Sequence, residues 1–144
     1  MDVKQEAIEL FNHTWDLLDL PQRTAPQQIE MLHAAHTSCY LWRQVGTQAN
    51  FARGEWQVSR VYSVLAMGDA ALLHAQESLR ICLDSGISGL DLAFGYEAVS
   101  RAYYVLGNAQ GMDENKALGI AACAEISQEE DRNYALGEIR GIGA

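Results

Sequence analysis

Glu30, His33 and His36 follow one another at three-residue intervals. On an α-helix such residues sit on neighbouring turns of one face. Glu-x-x-His is the unit from which carboxylate-bridged metal sites in helical bundles are assembled. One helix cannot supply all the donors that an ion needs. His13, with Glu9 and Asp16 within a turn, is the candidate to complete the set if its helix packs antiparallel against that of His33 and His36. No second Glu-x-x-His occurs, which a di-metal site would require. The competing and leading reading is a core histidine satisfied by a hydroxyl or a backbone group, beside an exposed one. A divalent metal on His13, Glu30, His33 and His36 is thus the alternative, and no other cofactor is expected.

Nucleophilic chemistry has less support. Cys39 lies three residues beyond His36, but no orienting acid or oxyanion hole accompanies the pair. There is no G-x-S-x-G and no phosphate-binding G-x-x-x-x-G-K-[ST]. Cys39, Cys82 and Cys123 stand in apolar helical contexts without C-x-x-C spacing, so they read as small buried hydrophobes in a reducing compartment. With no complete catalytic motif, the reading leans away from an enzyme.

A third constellation is Arg53, Trp56, Gln57, Arg60, Glu97, Arg101 and Tyr104. Asn50, Arg53, Gln57 and Arg60 recur at three- and four-residue spacing and read as a polar stripe opposite the core stripe of their helix. Arg60 and Arg101 occupy equivalent places in an internal repeat described below. On successive layers they would form a two-point clamp for a carboxylate, with Trp56 and Tyr104 adding apolar contact. Pairing of the same arginines with Glu55, Glu97 or Asp91 is the plainer reading.

The net charge of -9 opposes binding to nucleic acid or to an anionic membrane surface. No apolar run is long enough to span a bilayer, and residues 1–6 carry no basic-then-apolar leader, so a cytoplasmic protein is expected. At 144 residues and 49% hydrophobic content, one folded domain over residues 1–144 is expected.

The elements that must position these residues are helices throughout. The first is expected over about residues 3–19, with Leu10 or Phe11, Trp15 and Leu18 inward. The second opens at Thr24 with Gln27 and Pro26 behind it, carries Ile29, Leu32, His36, Cys39 and Arg43 on one face, and stops at Gly46. The third runs from Thr47 or Gln48 to about Met67, with Phe51, Gly54, Val58, Val61 or Tyr62, and Leu65 inward. A break at Gly68-Asp69, with Asp69 as cap, precedes the fourth, which buries Leu72, Ala75, Leu79 and Cys82. The fifth begins at Ser88 and presents Phe94, Ala98, Ala102 and Val105. The sixth covers about residues 112–126, and a capping box at Ser127–Glu130 opens the last. The tail Gly141–Ala144 should fray.

Eight of the fourteen residues from Ala52 to Leu65 recur 41 positions later. Ala52, Gly54, Val58, Ser59, Arg60, Tyr62, Val64 and Leu65 reappear as Ala93, Gly95, Val99, Ser100, Arg101, Tyr103, Val105 and Leu106; about one match is expected by chance. Such a period marks stacked helical hairpins. Seven helices, as three antiparallel αα-hairpins plus a C-terminal capping helix, are the expected architecture. Gly54 and Gly95 mark close approaches of neighbouring backbones.

Tyr103 to Asn108 resembles the turn between the two helices of a tetratricopeptide repeat: a tyrosine, a glycine four residues on, then a small polar residue. The first copy departs from it, with Ala66 in the glycine position and Gly68 two residues late, and the period exceeds the family's typical length of about 34. His33-Ala34-Ala35-His36, Trp42, Val45-Gly46 and Arg53–Tyr62 are in addition similar to a family of small uncharacterised bacterial helical proteins. The resemblance implies a tetratricopeptide-like right-handed superhelix whose first helices line a groove for a protein or peptide, an acidic one where the arginines line it. Pairing of an exposed helical face with a second copy, as a homodimer, is the second alternative.

Overall fold

The computed structural model describes residues 2–144, which form seven α-helices. α1 (Val3–Leu18) and α2 (Ala25–Val45) make a first hairpin, and α3 (Gln48–Val64) and α4 (Gly68–Asp84) a second. α5 (Leu90–Val105) and α6 (Ala109–Cys123) make a third, and α7 (Glu129–Arg140) closes the array on α5 and α6. Each helix packs on the next in sequence, and α1 meets α3, α3 meets α5 and α5 meets α7 across hairpins. This is the sequential packing of a helical-repeat solenoid.

Short polar side chains set most helix starts. Asp2 Oδ1 accepts from the Gln5 N–H at 3.2 Å. Thr24 and Gln27 cap each other's backbone N–H groups, with Pro26 in the first turn. Asn50 Oδ1 accepts from the Thr47 N–H at 3.0 Å, and Asn108 Oδ1 from the Gly111 N–H at 2.9 Å. The Asn108 cap starts α6 at Ala109, three residues before the expected position. Two other expected caps are not made. Met67, not Asp69, holds the N-cap of α4, and Asp69 lies in its first turn. Gln128 holds that of α7 without a side-chain cap bond, so Ser127 and Glu130 form no capping box; Glu129, Glu130 and Asp131 still face the positive end of the helix dipole.

The 41-residue period is visible bond by bond. Ser59 Oγ donates to the Ala71 carbonyl at 2.8 Å, and Ser100 Oγ to that of Met112 at 2.9 Å; donors and acceptors are both 41 apart. Gly54 lies against the Cys39 backbone of α2, where an added Cβ would stand 3.3 Å from Cα, and Gly95 lies equally close to Leu79 of α4. The turns match too. Ala66 takes φ +60° where Gly107 takes +76°. Met67 N–H bonds the Tyr62 carbonyl as Asn108 N–H bonds that of Tyr103, both at 2.9 Å. The first turn therefore holds the same left-handed conformation without the glycine, and Gly68 begins a helix instead of making a late turn.

Several expected core stripes are rotated by about one residue. α2 buries Met31, Ala34, Ala35, Ser38 and Cys39 and leaves Ile29 exposed; α1 buries Ala7, Thr14 and Leu17. Small residues are preferred at the contact because they let helix axes approach, and the hydroxyls find carbonyl partners there. Ser38 Oγ donates across to the Ala7 carbonyl and Ser78 Oγ to that of Ala52, each at 2.8 Å. The C-terminal tail does not fray: Ile142 is fully buried, and Lys116 Nζ donates to its carbonyl at 2.7 Å.

Candidate functional site

The helices α1, α3, α5 and α7 share one face of the array, and one position on it recurs through all four. Trp15, Trp56, Glu97 and Glu138 are each 41 residues apart. The Trp15 and Trp56 rings lie 5.5 Å apart, Trp56 lies 5.1 Å from Phe94, and Phe94 lies 6.0 Å from Tyr134. An aromatic succession thus runs from the first hairpin to the closing helix. Tyr134 is mostly exposed, while the other three rings are partly covered.

Glu97 sits beneath this succession with no solvent exposure. Trp56 Nε1 donates to its Oε1 at 3.1 Å, Arg60 to its Oε2 at 3.1 Å and Arg101 to the same Oε2 at 3.4 Å. A buried carboxylate is tolerated only with such donors around it. Arg60 also lies 3.8 Å from Glu138 and about 6 Å over the Trp15 and Trp56 rings, within the range of cation–π attraction. Two guanidiniums thus face two carboxylates. Arg60 and Arg101 do sit on matching sides of neighbouring layers, yet they close on Glu97 instead of standing open as a clamp.

The other residues of that set are dispersed. Gln57 is buried, not part of a solvated stripe, because α1 covers this side of α3; its Nε2 donates to the Phe11 carbonyl at 2.9 Å. Arg53 forks onto Asp91 through Nε and one terminal nitrogen, at 2.8 and 2.9 Å. Tyr104 is exposed, and its ring edge lies beside Gly143 of the tail.

The histidines do not assemble as a ligand set. Glu30, His33 and His13 are exposed. Among the described residues no group of three or more His, Cys, Asp and Glu side chains is placed to hold a metal ion. His36 instead meets the Tyr62 hydroxyl through Nε2 at 2.8 Å; it has the hydroxyl partner of the competing reading but is exposed, not a core histidine. Beside it, His74 Nδ1 lies 2.7 Å from Oε2 of the buried Glu55, and Cys39 Sγ donates to Oε1 of the same carboxylate at 3.5 Å. His74 stacks on Tyr62 and meets His36 edge-on. Burial and the charge of His74 hold the His36 pKa below its ordinary value. Burial, then the charge and hydrogen bond of Glu55, push the Cys39 thiol up to about 12, and burial pushes Cys82 up to about 11. Neither thiol offers a thiolate nucleophile near neutral pH.

His74 escaped the sequence reading, and Glu55, offered there as a partner for an arginine, is held by His74 and Cys39 instead. The available signal was Gly54, whose close approach to α2 brings Glu55 and Tyr62 against Cys39 and His36. The Trp15–Trp56–Glu97–Glu138 series was accessible by extending the 41-residue offset over the whole chain. No family model, curated protein or solved structure matches this chain.

Proposed function

We propose that the chain is a non-enzymatic, tetratricopeptide-like helical-repeat module that binds a protein or peptide on the face of α1, α3, α5 and α7. The observation that carries this reading is the aromatic succession Trp15–Trp56–Phe94–Tyr134, backed by Arg60 and Arg101. Tryptophan, tyrosine and arginine are the residues that most often dominate binding energy at interfaces. Because Glu97 and Glu138 balance the two arginines, apolar side chains of the partner provide the main contact. An acidic partner would have to draw a guanidinium away from Glu97. The three buried free cysteines suit a reducing, cytoplasmic setting.

The test is a panel of immobilised peptides in apolar, acidic and basic sets, read by retention of the protein. Apolar sequences are expected to retain it, and Tyr134→Ala to weaken that retention about tenfold, as loss of one interface anchor does. Retention by no set, or retention indifferent to Tyr134→Ala and Trp15→Ala alike, would defeat the proposal. If acidic peptides bind best and the Arg60→Ala, Arg101→Ala double variant loses them, the arginines form the clamp after all.

A further inference from the structure

Beside the aromatic succession lies a cavity of about 150 Å³. Its walls are Phe11 of α1, Ala52 and Trp56 of α3, and Leu90 and Phe94 of α5. The polar groups around it are Ser78, Arg53 and Asp91. Ser78 is buried and its hydroxyl is committed to the Ala52 carbonyl. The remaining polar groups are the Arg53–Asp91 pair, whose side chains are 55% and 17% exposed, and the apolar walls other than Ala52 are themselves partly exposed. A pocket of this volume is large enough to accept a benzene-sized group.

Arg53 is placed to do more than pair with Asp91. A guanidinium carries five N–H donors. Asp91 takes one from Nε and one from a terminal nitrogen, and no other hydrogen bond of Arg53 forms among the described residues. Its outer edge faces solvent. Asp91 lies in the first turn of α5, where the helix dipole favours its negative charge, so it tolerates a second carboxylate on the same arginine. A second, smaller cleft of about 120 Å³ also borders Arg53, between Phe11, Trp42 and Ile8. Arg53 thus borders the apolar walls of two clefts.

We infer that this cavity is a binding site for a carboxylate bearing one ring-sized apolar group: the ring enters between Phe11, Trp56 and Phe94, and the carboxylate meets the outer edge of Arg53. A free aryl-alkanoic acid and the C-terminal residue of a peptide ending in phenylalanine share this chemistry. The site shares Trp56 and Phe94 with the aromatic face, but its anchor Arg53 and its wall Phe11 lie outside that succession.

The probes are 3-phenylpropionate, propionate, toluene and the tripeptide Gly-Gly-Phe as free acid and as amide. Binding is read by titration of backbone amide NMR shifts in the full chain. The expected result is that 3-phenylpropionate binds at least tenfold more tightly than propionate or toluene, with the shifts centred on residues 11, 52 and 94. Arg53→Gln should abolish the advantage over toluene, and Leu90→Trp, which fills the cavity, should abolish binding of both. Leu118→Ala, an exposed side chain on α6 away from the cavity, should leave binding unchanged. A free-acid tripeptide that outcompetes 3-phenylpropionate while its amide does not would name the peptide terminus as the source; the reverse order would name the small acid. Equal affinity for propionate and 3-phenylpropionate in the parent protein would overturn the inference. So would shifts centred elsewhere, a result that does not depend on whether Leu90→Trp folds.

Discussion

Ala66 carries backbone strain that its repeat partner avoids. At φ +60° its Cβ crowds the following carbonyl, a conformation that costs a non-glycine residue about 1–2 kcal/mol. Gly107 adopts the same turn freely. Ala66→Gly should therefore raise the unfolding free energy by about 1 kcal/mol, after allowing for the added freedom of glycine in the unfolded chain. Urea denaturation checks this through a higher midpoint at unchanged slope.

His36 makes stability depend on pH. Its pKa lies below the ordinary value of 6.5, because burial and His74 disfavour its charged form, with Glu55 opposing them. The unfolded chain then binds the proton first as pH falls. Stability from this group is complete above about 6.5 and declines as pH drops through that value towards the lowered native pKa. Denaturant midpoints measured between pH 7.5 and 5 should fall, and His36→Gln, which can still donate to Tyr62, should flatten the slope. A slope unchanged in that variant would count against the assignment. The raised thiols act at the other end of the scale. Cys39 should ionise at about 9 when unfolded and about 12 when native, so its contribution is lost as pH rises between these values.

At the scale of the helix, close contact and not bulk apolarity decides which face turns inward. The helix start at Thr24 was legible from its capping box, whereas the Asn108 cap was passed over and the expected Asp69 cap is not made. Starts were not legible at Met67 or Gln128, where no side-chain bond marks the end. The rotated stripes have one cause. Ala34, Ala35 and Ser38 look weakly hydrophobic in sequence, yet they allow the nearest helix approach, while larger Ile29 is displaced to the surface. Gly54 and Gly95 express the same preference and could be read directly from the repeat. Gly95→Ala should lower stability by about 1 kcal/mol: overpacking against the Leu79 backbone costs about 1–3 kcal/mol, and better helix propensity returns about 1. The same substitution at Gly137, which has open space around it, should stabilise by roughly the propensity difference alone. Chemical denaturation of the two variants side by side provides the comparison.

At the scale of the whole molecule, Glu97 links parts that are distant in sequence. It joins α3 to α5 directly, and through Arg60 the link extends to Glu138 of α7. An acid in the middle of a sequence pattern reads as solvent-facing, so its burial was invisible before the layers were stacked. Arg60 and Arg101 close on Glu97, one of the acids that the plainer reading offered them. Glu97→Ala leaves two largely buried guanidiniums without their shared acceptor and should cost about 3–5 kcal/mol. Native-state hydrogen exchange should then show α5 and α7 opening well before α1 and α2; uniform loss of protection would argue that Glu97 has no such linking role.

The series Trp15, Trp56, Glu97, Glu138 also gives the array a polarity. Equivalent positions begin as two indoles and end as two carboxylates, so the track changes character from one end to the other while its helical scaffold repeats. A chain laid along it in one direction meets the two indoles first and Tyr134 with Glu138 last; reversed, it meets them in the opposite order. Two orientations of the same peptide therefore have different energies on this surface. A tandem repeat of backbone geometry thereby becomes a ruler with a zero end.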